Sequence, residues 1–251
     1  MSATILEVRD LHKRFGGLSV ARGIGFDLAA GARNALIGPN GAGKTTFVNL
    51  ITGALKPDAG QVLLDGVDVT HISQAGRVKR GIVRTFQITS IFKGLTVLEN
   101  VCMAVQEHQG LAAAIWRPFG SNRAVIEEAM DLLSGLGLTD HALGVAQELS
   151  YGRQHLLDIA IALALKPKVL LLDEPAAGVP SAEYDILLNV IGDLPKDIAV
   201  LIIEHDMDLV FRFAERITVL VDGTVFAEGT PDEIATHDGV RSVYLGGEAH
   251  G

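Results

Sequence analysis

The sequence predicts an α/β fold: a mainly parallel sheet covered by helices, with an antiparallel β subdomain at the N-terminal end and an inserted helical subdomain. Three observations predict it. Residues 38–46 read GPNGAGKTT, set between an apolar run and a stretch of helical spacing. Residues 169–172 and 198–203 are continuous apolar runs separated by helix-like segments, the pattern of parallel strands buried on both faces. From residue 96 to residue 149 the apolar residues recur instead at helical intervals, which marks a separate helical piece.

Taken in chain order, residues 4–8, 24–28 and 61–65 read as short strands with glycine-rich breaks between them. Residues 35–37 form a buried strand leading into the loop, and residues 47–51 continue it as a helix. Helices are expected over 97–105 and 124–136, the second capped by Ser121-Asn122 and closed by Gly135 and Gly137. Ser181 is expected to cap a helix running to about Asp193, and Asp206 the helix that follows the strand at 198–203. Residues 219–221 and 224–227, joined at Asp222-Gly223, read as a hairpin. Thr230-Pro231-Asp232-Glu233 is a helix start with a cap, a proline at the first helical position and a glutamate closing the capping box. One domain over 1–251 is expected, with a core from 1–86 and 155–251 and a helical subdomain over 87–154.

Composition narrows the class. With 251 residues, 48% apolar and 20% charged, the chain suits a packed fold rather than a disordered one. A net charge of −9 argues against a nucleic-acid surface. The lone cysteine, Cys102, permits no intrachain disulfide and reads as a small buried apolar residue in a reducing compartment. The first residues carry charges through their apolar stretch, unlike a secretory leader. The most apolar region, 156–172, is broken by Asp158, Lys166, Pro167 and Lys168, so any membrane connection is expected to run through a partner.

The stretch at 38–46 fits G-x-x-x-x-G-K-[ST], a phosphate-binding loop. Gly38, Pro39, Asn40, Gly41, Ala42, Gly43, Lys44, Thr45 and Thr46 form its lining. Gly41 and Gly43 let successive N–H groups turn inward. The helix expected to start near Gly43 points its positive end at the phosphates. Lys44 sets a compact cation on the outer phosphates, and the Thr45 hydroxyl is a ligand for Mg²⁺. The loop therefore points to a nucleoside triphosphate.

Residues 169–175 read VLLLDEP. Two carboxylates ending a buried strand are unfavourable unless a cation meets them. Asp173 can reach Mg²⁺ directly or through water, and Glu174 can orient or deprotonate a water attacking the γ-phosphate. Residues 149–154 read LSYGRQ ahead of an apolar helix. From that hexapeptide alone Ser150 is an ordinary helix cap. Beside the first loop, Ser150 and Gly152 offer a second anion site, usable in trans against a nucleotide held by another subunit. Gln87 is either a surface amide or a group that touches Mg²⁺ or the attacking water. His205, after Glu204 at a strand end, is either structural or a hydrogen-bond partner of the γ-phosphate. Phe15 is either a buried ring or a stacking face for adenine.

In this order the residues resemble the ATP-binding subunit of an ABC transporter: aromatic loop at Phe15, Walker A at 38–46, Gln87, signature at 149–154, Walker B at 169–173, then Glu174 and His205. The segments RFGGL, VRTFQ, LTVLENV, LSYG, DEPAAG, IEHDMDLV and the closing VYLG, together with the stretch at 106–120, are similar to the ATPases of branched-chain amino acid importers. Importers of urea, amides and aromatic acids, and the ATPase of lipopolysaccharide export, share much of this pattern. The resemblance implies a P-loop NTPase with a RecA-like core, ATP and Mg²⁺ as cofactors, and ATP hydrolysis coupled to transport. It also implies a head-to-tail pair with a second ATP-binding subunit, identical or related. Membrane permease subunits and, indirectly, a solute-binding protein would complete the assembly at the cytoplasmic face of the membrane. Glu174, His205, Lys44 and Gln87 are then the catalytic set, and Thr45, Gln87 and Asp173 surround the metal. Arg153 stands where the signature usually ends in glutamine, and Leu156 and Ile161 where arginines are common. Pro180 takes the place of an aspartate that acts across the pair.

Overall fold

The computed structural model describes residues 3–85, 91–111 and 122–245. In chain order the elements begin β1 (Thr4–Phe15), β2 (Leu18–Ala29), β3 (Arg33–Ile37), α1 (Lys44–Thr52), β4 (Ala59–Leu64), β5 (Val67–Asp68), α2 (Gln74–Val78) and β6 (Ile82–Arg84). They continue with α3 (Val97–His108), α4 (Arg123–Gly135), α5 (Tyr151–Ala164), β7 (Val169–Asp173), α6 (Ser181–Gly192) and β8 (Ala199–Ile203). The last are α7 (Met207–Phe213), β9 (Arg216–Val221), β10 (Thr224–Gly229), α8 (Pro231–Ala235) and α9 (Asp238–Leu245). The chain divides into two compact units.

The first unit takes Met1–Ile82, Lys168–Glu174 and Pro195–Gly251. It holds an antiparallel sheet in the order β2-β1-β4-β5 and, of a second sheet, the strands in the order β10-β9-β3-β8-β7. In the second sheet β3 pairs in parallel with β8 and β9, and β7 in parallel with β8, while β10 returns antiparallel on β9. This is the mainly parallel core and antiparallel β subdomain that the apolar runs predict.

Alternation along the strands assigns the two faces. Leu36 of β3 and Leu220 of β9 enter one apolar cluster with Phe47, Val48, Leu50 and Ile51 of α1 and the inner residues of β1, β2 and β4. Ala35 and Ile37 of β3 and Ile217 and Val219 of β9 point the other way, against Val210 of α7, Ile234 of α8 and Val240 of α9. Each fully buried large apolar side chain of this kind favours the folded state by about 1.5–3 kcal/mol. Phe26 and Phe47 meet edge to face at 5.7 Å, fastening α1 to β2.

The strand expected at 4–8 runs on to Phe15. Shifts of register between Val8 and Leu11 and between Leu11 and His12 break the alternation there, which is why the period-two pattern fades while the strand continues. The Asp206 cap forms, its carboxylate accepting from the N–H groups of Asp208 and Leu209. The Thr230 capping box is also present. The expected Ser181 cap is corrected: Pro180 occupies the capping position and Ser181 is the first helical residue. Asn122 stands at the start of α4 without a side-chain capping bond, and Ser121 lies outside the described residues.

The second unit takes Val83–Pro167 and Pro175–Leu194. α3 packs on α4 and α5, and α5 on α6. Thr96 and Glu99 close a full capping box at the start of α3. Buried Asn100 fixes the approach to that helix, accepting from the Phe92 N–H at 2.8 Å and donating to the Thr96 carbonyl at 2.9 Å. Cys102 is buried in α3, where desolvation pushes its thiol up to about 11. It therefore stays protonated and unreactive near neutrality.

One buried charge organises the helix behind the phosphate loop. Arg77 of α2 is 1% exposed. Its guanidinium donates to the carbonyls of Leu50 (2.7 Å) and Ile51 (2.5 Å) at the end of α1, and to that of Thr70 at 2.7 Å. A fixed cation at a helix C-terminus satisfies carbonyls that the helix leaves unpaired and complements its dipole. Arg77→Leu leaves these carbonyl acceptors buried without a donor, so we expect a loss of about 1–3 kcal/mol of stability. Urea unfolding monitored by circular dichroism measures it, and a loss below about 1 kcal/mol would contradict this account.

Candidate functional site

β3 is buried over all five residues, and the loop that leaves it turns directly into α1. Gly43 occupies the position before the helix in the left-handed region, with φ 99°, and a Cβ there would lie 2.9 Å from the Val20 carbonyl oxygen. The Phe47 N–H bonds the Gly43 carbonyl at 2.8 Å, closing the first turn. Gly43 has no capping side chain, so the helix start is left open to an external anion. Asn40, Gly41 and Thr45 are exposed, and Ala42 is buried beneath them.

Lys44 is half-buried and folds back over its own loop. Its Nζ donates to the carbonyls of Gly38 at 2.5 Å and Pro39 at 3.1 Å. Burial pushes its pKa down, while the carboxylates of Glu174 and Asp173 pull it up. The cation thus rests on loop carbonyls under the electrostatic pull of the strand-end acids.

Asp173 and Glu174 end β7. Val169–Leu172 are wholly buried, and Asp173 is the first half-buried residue of the strand. Glu174 adopts φ 46°, and its N–H bonds the Ile203 carbonyl at 2.9 Å. A left-handed glutamate is a strained conformation held by its surroundings. Across from it, the Nδ1 of His205 lies 3.8 Å from the Glu174 carboxylate and 3.5 Å from that of Glu204. Glu204 is 1% exposed. Its carboxylate accepts from the N–H groups of His205 (2.9 Å) and Asp206 (3.3 Å). The buried acid therefore sets the turn that presents the imidazole, a role that nothing in the sequence pattern singles out.

Phe15 is 45% exposed and carries the Lys13 ammonium 5.8 Å from its ring centre. The buried-ring alternative is therefore removed. Gln87 lies outside the described residues. Among the described residues no group of three or more His, Cys, Asp or Glu side chains could hold a metal ion. The Thr45 hydroxyl and the Asp173 carboxylate are hard oxygen donors, which fit Mg²⁺ when phosphate oxygens complete its shell. The sequence also gave no warning of the support beneath the loop. Gly223, in the β9–β10 turn, donates to the Ala42 carbonyl at 3.0 Å and accepts from the Arg22 N–H at 2.8 Å.

In the second unit, Ser150 precedes α5 but makes no capping bond to it. Its hydroxyl donates instead to the Glu183 carboxylate at 2.6 Å, and the Gly152 N–H donates to the same carboxylate at 3.1 Å. Ser150 thus stands at the capping position without acting as a side-chain cap, its hydroxyl serving the Glu183 carboxylate instead. One turn further along α5, His155 is 6% exposed, meets Tyr151 edge to face at 5.0 Å and bonds the Ala177 carbonyl through one ring nitrogen. Its Nε2 is buried without a partner.

A phosphate loop, two strand-end acids facing a histidine and a Ser-x-Gly helix start define an ATP-binding cassette. The chain belongs to the ABC transporter family, whose model matches residues 21–177. A second model, for the branched-chain amino acid ATP-binding cassette transporter, matches residues 224–250. The high-affinity branched-chain amino acid transport ATP-binding protein BraF of Pseudomonas aeruginosa is 39% identical, over 98% of this chain and 99% of its own. Among solved structures, the ADP conformation of MJ1267, an ATP-binding cassette of an ABC transporter, is 32% identical with a TM-score of 0.86, over 98% of this chain and all of its own. A dimeric post-hydrolysis state of the cassette MJ0796, bound to ADP and Pi, is 26% identical with a TM-score of 0.75, over 90% and 99% of the two chains.

Two measurements check the local arguments. A Cβ on Gly223 would lie 2.2 Å from the Val20 carbonyl oxygen, so Gly223→Ala must shift the turn that holds Ala42. We expect Mg-ATP to bind about tenfold more weakly, about 1.4 kcal/mol; unchanged affinity in a titration would refute the support role. Burial lowers the His155 pKa from its ordinary 6.5. A depressed folded pKa means that the unfolded chain binds the extra proton first. The associated stability is complete above about pH 6.5 and is lost as pH falls. Urea midpoints should drop below that pH in the wild type and drop less in His155→Gln.

Proposed function

We propose that this chain is the ATP-hydrolysing subunit of an importer for branched-chain amino acids, acting head to tail with a second ATP-binding subunit beneath membrane permeases. Lys44 and the amides of residues 38–46 hold the phosphates, and Phe15 stacks on the adenine. Thr45, Asp173 and Gln87 would hold Mg²⁺, which would neutralise charge on the phosphate oxygens. Glu174 takes the proton of the attacking water, and His205 donates to the γ-phosphate. Ser150 and Gly152 contact the triphosphate held by the other subunit, so hydrolysis is tied to opening and closing of the pair.

The observation that carries the hydrolytic part is the Glu174–His205 pair. A strained carboxylate whose backbone is held by Ile203 stands 3.8 Å from an imidazole, on the first-unit strand ends that also present Lys44. A base and a γ-phosphate donor so placed suit water attack in line with the loop. The dimeric cassette bound to ADP and Pi supports the paired arrangement. The solute class is supported by BraF and by the C-terminal family match. Among the described residues no helix is long and apolar enough to cross a membrane, so attachment at the cytoplasmic face is assigned to the permeases, with a solute-binding protein delivering the cargo.

Two expected outcomes test this. Glu174→Gln should lower ATP turnover at least about a hundredfold, in the range that removal of a general base produces, and accumulate an ATP-bound pair on a sizing column. Turnover at the wild-type rate would remove Glu174 from the role. In cells lacking the chain, uptake of labelled leucine, isoleucine and valine should fall. The wild-type chain should restore it and Lys44→Ala should not. Loss confined to urea or aromatic acids would reassign the solute.

A further inference from the structure

The donors at the start of α5 already hold an anion, and it comes from the chain itself. The two oxygens of the Glu183 carboxylate divide between two donors, Oε1 taking the Ser150 hydroxyl at 2.6 Å and Oε2 the Gly152 N–H at 3.1 Å. The approach is tight. A Cβ on Gly152 would stand 2.4 Å from Oε2 and 3.1 Å from the Glu183 Cβ, so a larger residue there would push the carboxylate from this position. Hydrogen bonds to an ionised acceptor are short and about twice as strong as neutral ones.

These are the two donors assigned above to a triphosphate arriving from another subunit. A single hydroxyl proton and a single N–H cannot serve two anions together. Crowding a carboxylate against a phosphate would add like-charge repulsion. We propose that Glu183 is a positioning residue that occupies the signature donors between turnovers, so that the incoming triphosphate must displace its carboxylate before the paired site is complete. The inference rests on the reading of Ser150 and Gly152 as triphosphate contacts in trans.

The surroundings allow the exchange. Glu183 is only half-buried, so its charge is not stranded when it leaves. It stands in the first turn of α6, whose dipole favours a carboxylate there with or without Ser150. A cleft of about 100 Å³ opens beside it, lined by Leu136, Arg153, Leu156 and Ile186 together with Glu183. Arg153, the residue that departs from the usual signature, also lines that cleft.

The test is ATP hydrolysis by the full chain over a matrix of ATP and protein concentrations. Glu183→Gln keeps the size and removes the charge, and Glu183→Asp keeps the charge but withdraws it by one methylene. Both should lower the ATP and protein concentrations giving half-maximal rate at least threefold, with kcat not reduced. Nucleotide affinity of the dilute single chain, read by isothermal titration, should stay unchanged. Adding Ser150→Ala should abolish the gain. Half-saturation that is unchanged or raised in both Glu183 variants, with circular dichroism showing them folded, would mean that the acid only organises its donors, and the proposal falls. A wild-type chain that hydrolyses ATP no faster than Lys44→Ala would instead overturn the function reading, and the displacement with it.

Discussion

The register of three parallel strands decides where every reactive group of the first unit goes. Leu36 of β3 lies opposite Ile203 of β8, and Ile203 lies opposite Asp173 of β7. Because the strands run the same way, all three stop at one edge, and the chain leaves each of them into a polar segment. The segment after β3 is the phosphate loop, the one after β7 is Glu174, and the one after β8 is Glu204-His205. A slip of one residue in any pair would send each side chain to the opposite buried face, against the wrong neighbours, and shift these ends by about 3.3 Å. The apolar packing of Leu36, Leu171, Leu201 and Ile203 in one cluster is therefore what sets the distance between a loop lysine and a strand-end acid.

Much of this was legible because each message is local. The glycine spacing in 38–46, the run VLLLD and the run before Glu204 each need only their own neighbours to be read, and the hairpin at Asp222-Gly223 and the box at Thr230 are short-range too. What stayed hidden depends on partners far away in sequence. Ser150 looks like a helix cap until Glu183 is seen on its hydroxyl, 33 residues away. Gly223 looks like an ordinary turn glycine until the Ala42 carbonyl is found on its N–H. Arg77 looks like a surface charge on a short helix, yet it closes α1 from a buried position. Period and propensity report which face of an element is apolar; they carry nothing about which distant carbonyl or carboxylate a polar atom will meet.

Both anion-binding elements satisfy themselves from within. In the first unit the Lys44 ammonium lies on the carbonyls of Gly38 and Pro39. In the second unit the Ser150 and Gly152 donors lie on Glu183. A half-buried cation or donor left bare would be unfavourable by about 1–3 kcal/mol, and more if charged, so some internal partner is expected wherever such a group must wait for its ligand. The two solutions differ in what a phosphate meets. At Lys44 a phosphate would replace neutral carbonyls with a stronger acceptor, an exchange favourable in itself. At Ser150, on the proposed reading, it would replace one anion by another, so the gain would be smaller and would depend on what else the incoming nucleotide contacts.

Pro180 links that second solution to the backbone. It holds the position before α6 with φ −59° and ψ 144°, and its carbonyl accepts from the N–H groups of Glu183 at 2.8 Å and Tyr184 at 3.1 Å. A proline fixes its own φ and contributes no N–H that would need a partner at this point. The start of α6 is thus set by a residue with one torsion already frozen, and Glu183 follows one turn later. Its carboxylate approaches Gly152 so closely that a Cβ at that position would displace it. A more mobile residue at 180 would let the helix start wander and spread the carboxylate over several positions, weakening its hold on Ser150. The rigidity of this entry and the closeness of the acid to the signature donors are therefore two parts of one arrangement within the second unit.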